Sequence, residues 1–136
     1  MTTDAVTVLS DDRGTIRFAQ GLPGFEQCRE FVLMTSPTLE PFACLKGVGT
    51  DAPAFLTIDP RKVQADYHRA LGPADTARIA ATERTALVWL ALVHPREAGA
   101  TVNLRAPIVI NPDTMRGLQI VDADPTYALD HPLVGM

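Results

Sequence analysis

Few residues in this chain have the chemistry to act on a substrate, and their spacing does not bring them together. Two cysteines (Cys28, Cys44), three histidines (His68, His94, His131) and two serines (Ser10, Ser36) are scattered through 136 residues. A serine nucleophile works beside a base, typically on a GxSxG turn, and neither serine lies in that motif. A cysteine nucleophile needs an oriented imidazole. His94, at the end of an apolar run and just before Pro95, has no sequence tie to either thiol. The histidines show neither HxH nor HExxH spacing, so no metal site is expected. Carboxylates do pair, at Asp11-Asp12 and at Asp122 with Asp124, but in turn-like segments where aspartate supports the backbone. The expectation is a chain with no catalytic residue, no metal and no cofactor.

Binding motifs are equally sparse. Gly21-Leu22-Pro23-Gly24 has the GxxG spacing with which KH domains clamp nucleotides through backbone N–H groups and basic flanks. Here Pro23 removes one N–H and Glu26 adds a negative charge, so a Pro–Gly turn is the better reading. The sequence contains neither GxGxxG nor a P-loop. Asn103 and Asn111 stand at or beside strand ends, where an amide either satisfies edge backbone groups or meets a partner. Tyr67 and Tyr127 suit a core with hydroxyls at its rim, or an interface.

Charge narrows the choice of partner. The net charge is −4, the only lysines are Lys46 and Lys62, and no basic run exceeds Arg61-Lys62. Binding to nucleic acid relies on cations that displace counterions from phosphate, so direct contact with RNA or DNA is not expected. An anionic membrane surface is a poor candidate partner on the same ground. A basic protein is the better match, because opposite fields speed encounter and fix orientation. Met1-Thr2-Thr3-Asp4 shows no signal-peptide pattern, and no apolar stretch approaches the ~20 residues of a spanning helix. The cysteines form no CxxC and no disulfide framework, and each reads as a buried small hydrophobe in a reducing compartment. A cytoplasmic location follows.

The elements that would position these residues are short. Eleven prolines and nine glycines break the chain into segments of strand length, as an all-β fold with many turns requires. Strands are predicted over 6–9, 15–19, 30–34, 42–45, 54–58, 86–93, 101–104, 108–110 and 118–121. Ile16 and Phe18 alternate with Thr15 and Arg17, and Val102 and Leu104 with Asn103 and Arg105, the pattern of half-buried strands. The unbroken apolar run 86–93 reads as a central strand covered on both faces. Asp11-Asp12-Arg13-Gly14 reads as a hairpin connection. A helical turn is predicted at 60–63, with Asp59 as N-cap and Pro60 at its first position, and a second helix over 73–81 after Gly72. Residues 122–136 read as a mostly irregular strap. The fold class is thus all-β, mainly antiparallel, a small β-barrel-like domain with one or two short helices, and 1–136 is taken as a single domain.

One order of motifs is recognisable. It runs Gly21-Leu22-Pro23-Gly24-Phe25-Glu26, Pro41-Phe42 with Leu45, Ala54-Phe55 to Ile58-Asp59-Pro60, and Asp66-Tyr67. It continues through Thr101-Val102-Asn103-Leu104-Arg105-Ala106-Pro107-Ile108-Val109-Ile110-Asn111, Gln119-Ile120-Val121, and Tyr127 with His131-Pro132-Leu133. Together these resemble the FliW family of flagellar assembly factors, from about Gly14 to Leu133. The chain departs from the family's usual pattern at Leu45-Lys46-Gly47 and at Trp89. The resemblance implies two alternative protein partners for a chain expected to be monomeric when free. One is flagellin, which FliW proteins hold in the cytoplasm before export. The other is CsrA, a basic RNA-binding translational regulator that represses flagellin messenger RNA. Release of flagellin would free the protein to bind CsrA, away from its RNA site, and to lift repression. By motif match the partner contacts are assigned to Phe25, Glu26, Tyr67, Asn103, Asn111 and Tyr127. Two other readings stand beside this one: an export chaperone for flagellin alone, and a small-molecule-binding β-barrel or enzyme using Cys28 or Cys44.

Overall fold

A computed structural model describes residues 7–9, 15–97, 99–121 and 126–133. Its elements are β1 (Thr7–Leu9), β2 (Ile16–Phe18), β3 (Glu30–Thr35), β4 (Phe42–Gly47), β5 (Ala54–Ile58), α1 (Pro60–Val63), α2 (Pro73–Arg78), β6 (Val88–Arg96), β7 (Gly99–Asn111), β8 (Arg116–Gln119) and β9 (His131–Leu133). Side chains alternate across a strand, so in β2 Ile16 and Phe18 point into the core and Arg17 stays exposed.

Pairing closes the sheet into a barrel, as the sequence reading expects, and the ring has seven strands. The ring runs β3-β2-β8-β7-β6-β5-β4 and returns to β3 through the β3–β4 pair. All its pairs are antiparallel except β2 with β8, where Arg17 lies opposite Arg116 and Phe18 opposite Gly117. Gly117 is there of necessity: a Cβ would stand 2.6 Å from the Phe18 ring. The interior is filled by Ile16, Phe18, Phe31, Leu45, Ile108 and Ile110, with Phe18 and Phe31 edge to face at 5.1 Å. Each such phenylalanine contributes about 2–3 kcal/mol by burial.

Two further apolar clusters lie on the other face of β6 and β7. Ile58, Ala91, Val93, Val102 and Leu104 gather with Tyr67 and Tyr127, and Ile79, at the end of α2, packs with Val109 and Ile120. The apolar run is therefore covered on both faces, with Leu90 inside the barrel and Ala91 outside it. The opposite facing of Val102 and Ile108 comes from a large bulge in β7. Leu90 pairs with Ile108 but Leu92 with Asn103, so five residue steps on β7 oppose two on β6. An odd excess reverses the side-chain parity, which turns Val102 and Leu104 away from the barrel interior that Ile108 and Ile110 fill.

Several boundaries differ from those read in the sequence. Strands 101–104 and 108–110 are one strand, β7, interrupted by the bulge. β1 and β2 do not pair with each other as a hairpin; both run along one edge of β3. The connecting residues 11–14 lie outside the described ones, as do Ser10 and the Asp122–Asp124 pair. The strap contains β9, which pairs with β7 at Ala100–Val102. α1 forms as predicted, its Asp59 carboxylate accepting the Arg61 N–H at 2.9 Å. α2 stops at Arg78, short of residue 81, because Ile79 turns inward and Ala80 takes a φ of +53°. Cys28 and Cys44 are half-buried rather than buried.

Candidate partner-binding surface

The segment Gly21-Leu22-Pro23-Gly24-Phe25-Glu26 follows β2 and is stapled to itself. Gly21 has a φ of +65°, and a Cβ there would stand 2.7 Å from the Glu26 backbone, so only glycine fits. Leu22 is buried and anchors the loop, while the Phe25 N–H donates to the Leu22 carbonyl at 2.7 Å across Pro23-Gly24. Gly24, with a φ of +86°, fills the position at which a type II turn needs glycine. Its N–H donates to the Glu26 carboxylate at 3.0 Å. That bond, with the Glu26 backbone N–H, holds the carboxyl below its ordinary range. The turn leaves Phe25 44% exposed, edge-on to Phe55 at 5.2 Å.

Opposite the loop stands the β7 bulge, where Asn103-Leu104-Arg105-Ala106-Pro107 leaves the ladder. Its backbone groups cannot all pair within the sheet, and an unpaired buried group costs about 1–3 kcal/mol. Side chains answer most of them. The Asn103 amide oxygen accepts both the Arg105 and the Ala106 N–H at 3.0 Å. The Tyr67 hydroxyl donates to the Leu104 carbonyl at 2.8 Å, Arg69 to that of Arg105 and Gln119 to that of Ala106. The Leu104 N–H donates to the Ala128 carbonyl, and the Arg105 guanidinium to that of Tyr127. Tyr127 in turn binds both backbone groups of His68 through its hydroxyl, its ring 4.5 Å from that of Tyr67. Segments 67–69 and 127–128 are thereby tied to the bulge.

Between loop and bulge runs an apolar groove of about 460 Å³. Leu22 and Phe55 form its floor with Leu92, and Phe25, Val121 and Leu129 stand at its edge. Three of the four large apolar side chains exposed among the described residues gather here, Val121 at 71% and Leu129 at 51% with Phe25. His94, Asn103 and Arg105 bring polar groups to one side. At its other end the groove shares Pro23, Gln119 and Val121 with a wider cavity of about 760 Å³.

The six residues assigned to partner contact divide. Phe25 and Glu26 are exposed on the loop, and Asn103 is half-buried at the groove. Tyr67 and Tyr127 lie inside, 7% and 8% exposed, with hydroxyls engaged on backbone. Asn111 is 1% exposed. Its amide nitrogen donates to the Ile79 and Ala80 carbonyls and its oxygen accepts the Asp113 N–H, which fastens the end of α2 to β7. The side chains of Tyr67, Tyr127 and Asn111 therefore hold the surface in shape from behind. Val121 and Leu129 were missed in the sequence: Val121 passed as the end of a strand and Leu129 as one apolar residue in an irregular strap. Two apolar residues flanking the polar, proline-bearing stretch 122–126 were the available signal.

The described residues offer no clustered set of metal-binding side chains. No group of three or more His, Cys, Asp or Glu residues is placed to hold an ion among them. The Cys28 thiol donates to the Glu30 carbonyl at 3.7 Å, and Cys44 stands in β4 opposite Met34 and Leu56. No helix is long and apolar enough to cross a membrane among the described residues.

Similarity to known proteins extends over nearly the whole chain. The family model for the FliW protein matches residues 1–133. The flagellar assembly factor FliW of Natranaerobius thermophilus is 37% identical over 121 residues, which cover 87% of this chain and 80% of that protein. That of Thermotoga maritima is 31% identical over 123 residues, covering 88% and 83%. A crystal structure of the flagellar assembly factor FliW superposes with a TM-score of 0.81 at 28% identity, over 90% of this chain and 86% of that one.

Proposed function

The chain belongs to the FliW family of flagellar assembly factors, and on that premise we propose that it works without catalysis, as a cytoplasmic partner-switching protein. It binds flagellin, and when free of flagellin it binds a CsrA-type translational regulator and antagonises it, so that flagellin level controls flagellin translation. The observation that carries this reading is the groove edged by Phe25, Val121 and Leu129. A monomeric soluble protein rarely gathers exposed apolar side chains without a use for them, and such patches mark binding sites. The loop that carries Phe25 and Glu26 supplies direct contacts. Asn103, Tyr67, Tyr127 and Asn111 support them by fixing the bulge and the neighbouring segments. The net charge of −4 suits the basic regulator as the second partner.

Exclusive binding makes the switch. A tenfold preference for flagellin corresponds to about 1.4 kcal/mol, within reach of a few well-buried contacts. Calorimetric titration of the purified chain, a monomer when free, against its host's flagellin and its CsrA-type regulator tests the scheme. Micromolar or tighter binding to both, with flagellin displacing the regulator, is the expected result. Binding to flagellin alone would reduce the chain to an export chaperone, and binding to neither would sink the proposal.

A further inference from the structure

The wider cavity at the end of the apolar groove carries a charge opposite to that of the chain. Three arginines line it, Arg17 from β2, Arg116 from β8 and Arg78 from α2. Arg17 and Arg116 are register partners on adjacent strands, both exposed on the outer face of the barrel. Like charges placed directly opposite in a sheet repel, so this pair is held at a cost to the fold. Three carboxylates stand nearby, each with a contact of its own. Asp75 pairs with Arg78 at 3.6 Å, Glu26 accepts the Gly24 N–H, and Glu30, opposite Arg17 on β3, accepts the Thr15 hydroxyl at 3.0 Å. Neither Arg17 nor Arg116 forms an ion pair among the described residues.

Groove and cavity are continuous through Pro23, Gln119 and Val121. We propose that they form one bipartite docking site for an acidic amphipathic peptide segment of a protein partner. Its apolar side chains lie along Phe25, Val121 and Leu129, and a carboxylate reaches the Arg17–Arg116 pair. Planar guanidinium forks match carboxylate geometry, and here two arginines occupy register positions on adjacent strands with no ion pair among the described residues. The inference rests on the reading of the groove as a docking surface, and adds to it the chemistry of the occupant. It also runs against overall charge, since a chain of net charge −4 attracts basic peptides in the absence of a local site.

That opposition supplies the test. The full chain, isotopically labelled, is titrated at low salt with a synthetic amphipathic peptide of leucine and glutamate, and separately with its leucine–lysine counterpart. The glutamate peptide is expected to shift the amide signals of Arg17, Arg116, Phe25 and Val121, and to bind at least about tenfold tighter than the lysine peptide. The double substitution Arg17→Gln with Arg116→Gln, at exposed positions, should erase that preference while leaving the core signals in place. Equal or reversed preference in the native chain, or a preference that survives the double substitution, overturns the proposal, as does the absence of any shift with either peptide. The same double variant titrated with flagellin separates the two readings. Flagellin binding that is undiminished keeps the flagellin assignment and removes the arginine pair, whereas a glutamate-peptide site in a chain that ignores flagellin does the reverse.

Discussion

The loop at 21–26 and the bulge at 103–107 face each other across one groove and solve opposite problems. The loop closes on its own backbone through Gly24 and Glu26, which frees its largest side chain, Phe25, to face solvent. The bulge closes on itself only in part, through the Asn103 amide oxygen. It draws Tyr67, Arg69 and Gln119 from distant parts of the chain to its carbonyls, and the Ala128 carbonyl to its Leu104 N–H. A self-contained turn leaves a side chain available for contact, whereas an irregular strand segment recruits side chains inward. Two motifs that read alike as candidate contact regions therefore play different parts, one presenting an exposed side chain and the other holding the wall behind it.

This contrast is open to attack at several points. The largest effect is expected on the buried side. Asn111→Ala leaves the Ala80 carbonyl and the Asp113 N–H without their amide partner, and should lower unfolding stability by about 2–3 kcal/mol, seen as an earlier denaturant midpoint at unchanged slope. Phe25→Ala should do the reverse. Flagellin affinity falls by about 2 kcal/mol, or about thirtyfold, while stability falls by about 1 kcal/mol, the value of its ring contact with Phe55. A stability loss of the Asn111 size in Phe25→Ala would place Phe25 in the framework and break the division.

Smaller effects sharpen it. Tyr67→Phe removes the hydroxyl from the Leu104 carbonyl and should cost about 1 kcal/mol in stability, with a weaker effect on binding than Phe25→Ala. The smallest effect is on Glu26, whose carboxyl the Gly24 N–H and its own N–H hold below the ordinary 4.5. A depressed carboxyl favours the folded loop above the unfolded pKa and loses that contribution as pH falls through the folded value. The Glu26 side chain should therefore titrate below 4.5 by NMR, and acid should loosen the loop first, with the Gly24 amide signal moving in step. A midpoint at or above 4.5 would mean that the carboxylate does not staple the turn.

Local chemistry was legible in the sequence, and long-range pairing was not. Asp59 with Pro60 specifies the start of α1 by capping and fixed φ, and 54–58 specifies β5 by its apolar content between prolines. Pro23-Gly24 specifies the turn that presents Phe25, because only glycine takes the positive φ without strain. These features depend on residues within a few positions of one another, and the order of such motifs sufficed to suggest the family. The tertiary structure alone decided the rest. Alternation in 101–110 cannot show that three extra residues reverse the facing of Val102 relative to Ile108, since that depends on where β6 sits alongside. Nor can it show that Arg17 meets Arg116, about a hundred positions away, through the one parallel pair that closes the barrel. Burial of Tyr67, Asn111 and Tyr127 was hidden for the same reason: their partners are backbone groups more than twenty residues distant, and spacing carries no record of such contacts.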